Sequence, residues 1–433
     1  MRRVLLRASV FLLLLPIAPL MATAQVATPP PGAPKELKVA LVDFLSGPAA
    51  KAGIAAINAG RLVIAQINDA GGIKGVKIRP VVVDEAGGAV KQVTEYRRLA
   101  LDEKVDVVLG YLSSADCLAV APVAEELKTV TIFNGCGTSR LFEDASYKYV
   151  FRAVNYEGSE NVAAALYVLS LRPDLRTIAG VNQDYAWGRD SWGTFVEAER
   201  RLKPSVQVTE VLWPALGPVD FSAEISKIIA AKPDVVHTSL WSGFLDSFVK
   251  QAAPRGLFKD SLAVAIVGER SLLALGKDMP EGVIAGGRGG FIPYVWPDPQ
   301  SPDAKRFYDA YETQYGEIPI ADSFNMVQLV LAMKAAYEKA IQTHGRWPQK
   351  EELIKALEFL EFESLGVRVS MALGNGHQAI HPQVFGITGS KRHPKWGFPL
   401  VEQIRMFPAE KVNPPRGMKH LDWIRSWPEG KGP

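Results

Sequence analysis

The residues able to do chemistry gather at the polar ends of short apolar runs. The clearest case is VDVVLGYLSSADC, residues 105–117. Val105, Val107, Val108 and Leu109 have the composition of a strand buried in a parallel sheet. Gly110 ends that run, and Ser113, Ser114 and Asp116 are helix-capping types placed ahead of LAVAPVAEE. A strand that turns through Ser-Ser into a helix offers unpaired backbone N–H groups and hydroxyls at one point, which suits a carboxylate or a phosphate. An ordinary helix cap uses the same residues. A similar loop, NGCGTS with Gly137 and Thr138, follows the run 130–133. Later strand ends carry Tyr185 and Trp187 in DYAWGRD, Trp241 after 235–238, and Glu269-Arg270 after 264–267. Hydroxyls and amides on one wall and aromatic rings on the other would make a small-molecule cleft, although each tryptophan alone could equally be core.

Catalytic and cofactor templates fail. No GxSxG, HExxH, CxxC or Walker loop is present, and the GGIKG and AGGRGG stretches are merely glycine-rich. His377 and His381, spaced by four in GNGHQAIHP, lack a helical context and read as solvated or capping residues rather than metal ligands. No catalytic residue, metal or cofactor is expected.

The elements that must position these groups alternate strand with helix. Strands are expected at 39–44, 78–83, 105–109 and 130–133, with helices at 54–68, 88–103 and 118–128 between them. A second series starts after 151–154, with helices at 159–171, 191–202, 221–231 and 244–253 and strands at 177–181, 206–212, 235–238 and 264–267. The run 283–287 then returns the chain to the first series, where 302–315, 323–343 and 351–360 are helical; beyond Ser364 the pattern is β- and loop-rich. Repeated βα units imply an α/β fold of two doubly wound parallel-sheet lobes. Ligands in such sheets gather beyond the carboxyl ends of the strands.

The chain opens with Arg2, Arg3 and Arg7, an apolar segment at 10–20 and the small-x-small triplet Ala22-Thr23-Ala24. This is the pattern of a secretory signal cleaved after Ala24, with no adjacent cysteine for a lipid anchor. A Pro-rich leader follows at 25–36, and the exported product is expected to be a soluble periplasmic protein. Lys+Arg number 49 against 46 Asp+Glu, so losing three arginines with the signal leaves about zero net charge; with no long basic run, nothing suggests nucleic acid and no such partner is expected. The two cysteines, Cys117 and Cys136, follow neighbouring strands; in an oxidising compartment they suggest one disulfide, with two buried free thiols as the alternative.

Taken in order, LKVALVDFLSGP, INDAGGIKGVKIRPVVVDE, GYLSSADCLAVAPVAEE and DYAWGRD resemble the periplasmic leucine/isoleucine/valine-binding proteins of ABC importers. The resemblance implies a type I periplasmic binding protein whose lobes, joined by a three-crossing hinge, close on a ligand. It implies a first lobe at 37–153 plus 286–372, a second at 154–285 plus 373–407, and a tail at 408–433. It further implies that Ser113, Ser114, Gly137 and Thr138 hold a ligand carboxylate, while Tyr185, Trp187, Trp241 and Glu269 or Arg270 meet the rest of the ligand. Ala52 stands where the family has an aromatic residue against the ligand side chain. A small Ala52 opposite two tryptophans suits an aromatic or bulky carboxylate at least as well as a branched amino acid. The implied partners are the small ligand and a membrane permease, with the protein a monomer; presentation to a signalling receptor is the alternative function.

Overall fold

The structure, a computed structural model, describes residues 28–217, 219–288 and 301–433; the expected signal segment 1–24 lies outside them. Short apolar runs become strands because both of their faces are covered: every residue of Val107–Gly110, Val130–Phe133 and Val235–Thr238 is buried. The first sheet has eight strands in the order Glu361–Ser364, Val367–Leu373, Gln378–Ile380, Val150–Arg152, Val130–Phe133, Val107–Gly110, Glu36–Asp43, Lys77–Asp84. All pairs from Gln378–Ile380 onward are parallel, and the two before it are antiparallel. The second sheet has seven, Pro399–Phe407, Gln383–Arg392, Ile284–Gly287, Leu262–Ala265, Val235–Thr238, Thr177–Val181 and Gln207–Leu212. Its first two strands join antiparallel to a parallel set. Helices cover both sheets, giving two α/β lobes.

Strand Val150–Arg152 of the first sheet leads into helix Glu157–Leu171, whose Val162–Ala165 segment lies in the second core. Strand Ile284–Gly287 of the second sheet precedes helix Pro302–Tyr315, whose Ala304, Phe307 and Tyr311 lie in the first core. The third passage falls at His381-Pro382, between Gln378–Ile380 and Gln383–Arg392. It comes later than the expected boundary at 373, because Gln378 pairs with Arg152 and Ala379 is buried in the first core. The tail adds helices Ala409–Val412 and His420–Arg425, and Val412, Trp423, Ile424 and Trp427 are built into the second core. Pro31 of the leader accepts a hydrogen bond from the Trp347 N–H at 2.9 Å, which holds this end on the first lobe.

Two helices start earlier than their apolar periodicity suggests, and both shifts matter at the cleft. Ser114–Leu127 begins directly after Ser113, whose side chain accepts from the Asp116 N–H. Ala186–Leu202 begins before Trp187, placing that indole in its first turn. Gly110 makes the turn between strand and helix possible. Its φ is +145°, and a Cβ there would lie 2.0 Å from the Val42 carbonyl oxygen. Gly110→Ala is therefore expected to destabilise the protein by more than about 1 kcal/mol, read as a lowered urea midpoint.

The disulfide expected between Cys117 and Cys136 is absent: both are free and buried. The Cys117 thiol lies 3.8 Å from the Tyr111 carbonyl, and Cys136 sits in a left-handed turn at φ +36°. Burial, with Cys136 beside it, pushes the Cys117 thiol well above its ordinary range. Folded protein should resist iodoacetamide and take up two equivalents per chain once denatured. His377 and His381 are structural. His377 Nδ1 lies 2.8 Å from the Val150 carbonyl and its ring stacks on Phe151, while both ring nitrogens of His381 contact Asn155. Burial lowers the pKa of both.

Candidate functional site between the lobes

The strand ends of the two sheets face each other and touch. Phe44 meets Trp241 with ring centroids 5.9 Å apart, and the Gly243 N–H donates to the Pro48 carbonyl at 3.1 Å. Arg140 pairs with Asp190 at 2.6 Å, and the Thr138 hydroxyl donates to the same carboxylate at 2.5 Å. The lobes are thus in a closed arrangement.

Several expected site residues come together there. The Thr138 N–H donates to Ser114 Oγ at 3.3 Å, joining the two first-lobe loops. Gly137 lies against Trp187, where a Cβ would be 2.4 Å from the indole. Trp187 Nε1 donates to the Ser239 carbonyl, and Trp241 Nε1 donates to the Tyr185 hydroxyl at 3.0 Å. The two indoles therefore keep different company and make no ring contact with each other among the described residues. Ala52 is buried with Ala49 and Ala55 in the apolar cluster that continues into the second lobe. Arg270 pairs with Asp322 of the first-lobe helix Ala321–His344 at 2.7 Å, and Glu269 accepts from the Ala321 N–H at 3.2 Å. A cavity of about 220 Å3 lies here, lined by Lys51, Ile54, Ala55, Arg270, Leu273 and Ile318 among others.

The turn at Ser113-Ser114, expected to hold an anion, is partly occupied from within. Glu85, fully buried, accepts the N–H groups of Leu112 at 2.7 Å and Ser113 at 2.8 Å. Burial, with Asp43 next in effect, raises its carboxyl well above the ordinary range. The N–H groups of Ser114 and Ala115, in the first turn of the helix, find no acceptor among the described residues. Any external carboxylate at this turn therefore falls to Ser114 and its neighbour rather than to Ser113. Thr138 is less suited, since its hydroxyl already serves Asp190.

Arg288 is the main residue missed by sequence reasoning. Its Nε pairs with Glu160 at 2.7 Å, its Nη1 donates to the Gly135 carbonyl at 2.9 Å, and its guanidinium lies 4.8 Å from the Trp187 ring. The available signal was one charged residue inside AGGRGG at a strand end. Asp43 was also missed. It accepts from the Phe44 N–H at 2.9 Å and from Asn134 Nδ2 at 2.8 Å, and it is pushed up to about 7, first by burial and then by Asp322.

These two lobes, three crossings and polar, aromatic strand ends define a two-lobed binding protein of the type I class. The family model described as "Periplasmic binding protein" matches residues 36–388, and the chain belongs to that family. The leucine-specific-binding protein of Salmonella typhimurium is 25% identical over 250 residues, 58% of this chain and 66% of that protein's length. A solute binding protein of an ABC transporter from Rhodopseudomonas palustris BisB5, in complex with 3,4-dihydroxy benzoic acid, superposes with a TM-score of 0.75 at 21% identity, covering 87% of this chain and 98% of that one. A branched-chain amino acid transporter substrate binding protein from Streptococcus pneumoniae, in complex with isoleucine, gives a TM-score of 0.71 at 18% identity, covering 86% and 100%. These relatives are solute-binding proteins, not enzymes.

Asp43 supplies a pH test of the cleft electrostatics. Its folded carboxyl, at about 7, lies above the ordinary 3.8, so folding takes up a proton between those values. Its stabilising contribution is full below about pH 4 and is lost as pH rises through about 7. Asp43→Asn stays neutral and can donate to Asn134 Oδ1, which has no partner among the described residues. The melting temperature of Asp43→Asn relative to wild type should rise between pH 5 and pH 8.

Proposed function

We propose that the protein is exported to the periplasm, captures a small carboxylate in the interlobe cleft and delivers it to an ABC importer. The observation that carries this reading is the set of buried polar atoms that, among the described residues, are left without hydrogen-bond partners where the lobes meet. These include Asp116 Oδ1, Asn134 Oδ1, Arg270 Nε, and both oxygens of Asp322 despite the short ion pair. Buried polar groups are normally satisfied, so such a cluster between two closing bodies marks a place built for a polar guest. Ser114, with its hydroxyl and the open N–H groups of the first turn, would take the carboxylate. Trp187, Trp241, Tyr185 and Phe44 would supply flat apolar walls, which favours an aromatic or bulky carboxylate. The aromatic acid bound by the structural relative agrees with this preference. Glu269 and Asp322 favour a second reading, a zwitterion with its ammonium on the acidic side.

Titration calorimetry against 3,4-dihydroxybenzoate, benzoate, leucine and isoleucine separates the two. Micromolar or tighter binding of an aromatic acid is expected; binding of leucine with no response to aromatic acids would reverse the ligand class. A charge-assisted hydrogen bond contributes about 1.5–3 kcal/mol, so Ser114→Ala should weaken the ligand about tenfold to a hundredfold while the fold survives. Unchanged affinity in folded Ser114→Ala would move the carboxylate away from this turn.

A further inference from the structure

Three arginines are buried among the described residues, and two of them have counter-ions. Arg270 pairs with Asp322 and Arg288 with Glu160, each at 2.7 Å. Arg152, 1% exposed and the most buried of the three, has no carboxylate within ion-pair distance among the described residues. Its Nε donates to Gln378 Oε1 and its Nη1 to the carbonyls of Cys136 and Thr138, which leaves Nη2 without an acceptor among those residues. The nearby carboxylates are otherwise committed. Glu143, which lines the same cavity as Arg152, has both oxygens within 3.0 Å of His420 Nδ1. Glu157 faces His420 Nε2 at 3.5 Å, and burial raises its carboxyl above the ordinary range. The Arg152 guanidinium lies 5.6 Å from the Phe142 ring and 5.3 Å from the Tyr156 ring, but buried charges are as a rule also paired with an anion.

Arg152 lines a cavity of about 320 Å3, away from the cleft, between the hinge and the C-terminal tail. Buried Arg152, Tyr156 and Gln378 form part of its wall, and exposed Asn375, Met418 and Lys419 stand at its rim. The Tyr156 hydroxyl, on a side chain only 2% exposed, has no hydrogen-bond partner among the described residues. Both residues line the one cavity, and each carries a polar group with no partner among the described residues. We infer that this cavity is a second binding site, for a small oxyanion held by Arg152 Nη2 and the Tyr156 hydroxyl, with Lys419, which pairs with Asp144 at 3.1 Å, at the entrance. Arg152 ends the strand before the first crossing and Gln378 begins the strand before the third, so an anion here ties two crossings to the tail. The site is independent of what the interlobe cleft binds.

The test is titration calorimetry on the full chain at constant ionic strength, with sodium phosphate and sodium acetate as separate probes for phosphate-type and carboxylate anions. Saturable binding of at least one probe is expected, about tenfold weaker in Tyr156→Phe, abolished in Arg152→Gln and retained in Ser114→Ala. Should circular dichroism show that Arg152→Gln does not fold, Tyr156→Phe decides, because its hydroxyl has no partner to lose. No saturable binding of either anion to wild type, equal affinity in Tyr156→Phe, or loss of binding in Ser114→Ala would each overturn the assignment.

Discussion

The lobes depend on Arg288. Its guanidinium sits at the end of the second-lobe strand Ile284–Gly287, pairs with Glu160 of the second lobe, donates to the Gly135 carbonyl of the first lobe and lies over the Trp187 ring. Removing one member of such a buried pair costs about 3–5 kcal/mol, because the charge left behind stays dry. One side chain thus fixes the first-lobe loop, the second-lobe aromatic wall and a crossing in a single relation. Gly137 has to be glycine in this arrangement, since a Cβ would strike both Trp187 and Arg288.

The same desolvation constraint runs through the rest of the interface. Asp43, Glu85, Asp116 and Asp322 are all buried near the cleft, and burial raises the pKa of each. Glu85 settles on backbone N–H groups, Asp322 on Arg270, and Asp43 on an asparagine and a backbone amide. Two apolar lobes that close on each other can tolerate so many acids only with such internal partners. Closure that leaves some of them unsatisfied favours a ligand which completes the set.

The βα alternation was legible because strands covered on both faces read as continuous apolar runs and the helices between them keep a 3.6-residue stagger. Val130–Phe133, Thr177–Val181 and Pro302–Tyr315 have the expected bounds. The starts of the helices at Ser114 and Ala186 were less legible, since the first turn of a helix is polar and carries no periodicity. That turn is where Ser114 and Trp187 lie, so local pattern is weakest where the candidate site is built.

The sequence by itself determined the order of elements, the two lobes and the polar and aromatic character of the strand ends, because these follow from short-range periodicity and residue type. Only the tertiary structure decided which groups meet. Arg288 finds Glu160 across 128 residues, Thr138 finds Asp190 across 52, and Arg152 is left with carbonyls and a cavity. The cysteines show the same division, since they follow adjacent strands yet both are free, buried thiols. Pairing of charges and thiols depends on distances of a few ångströms between segments far apart in the chain. A one-dimensional pattern does not carry that information.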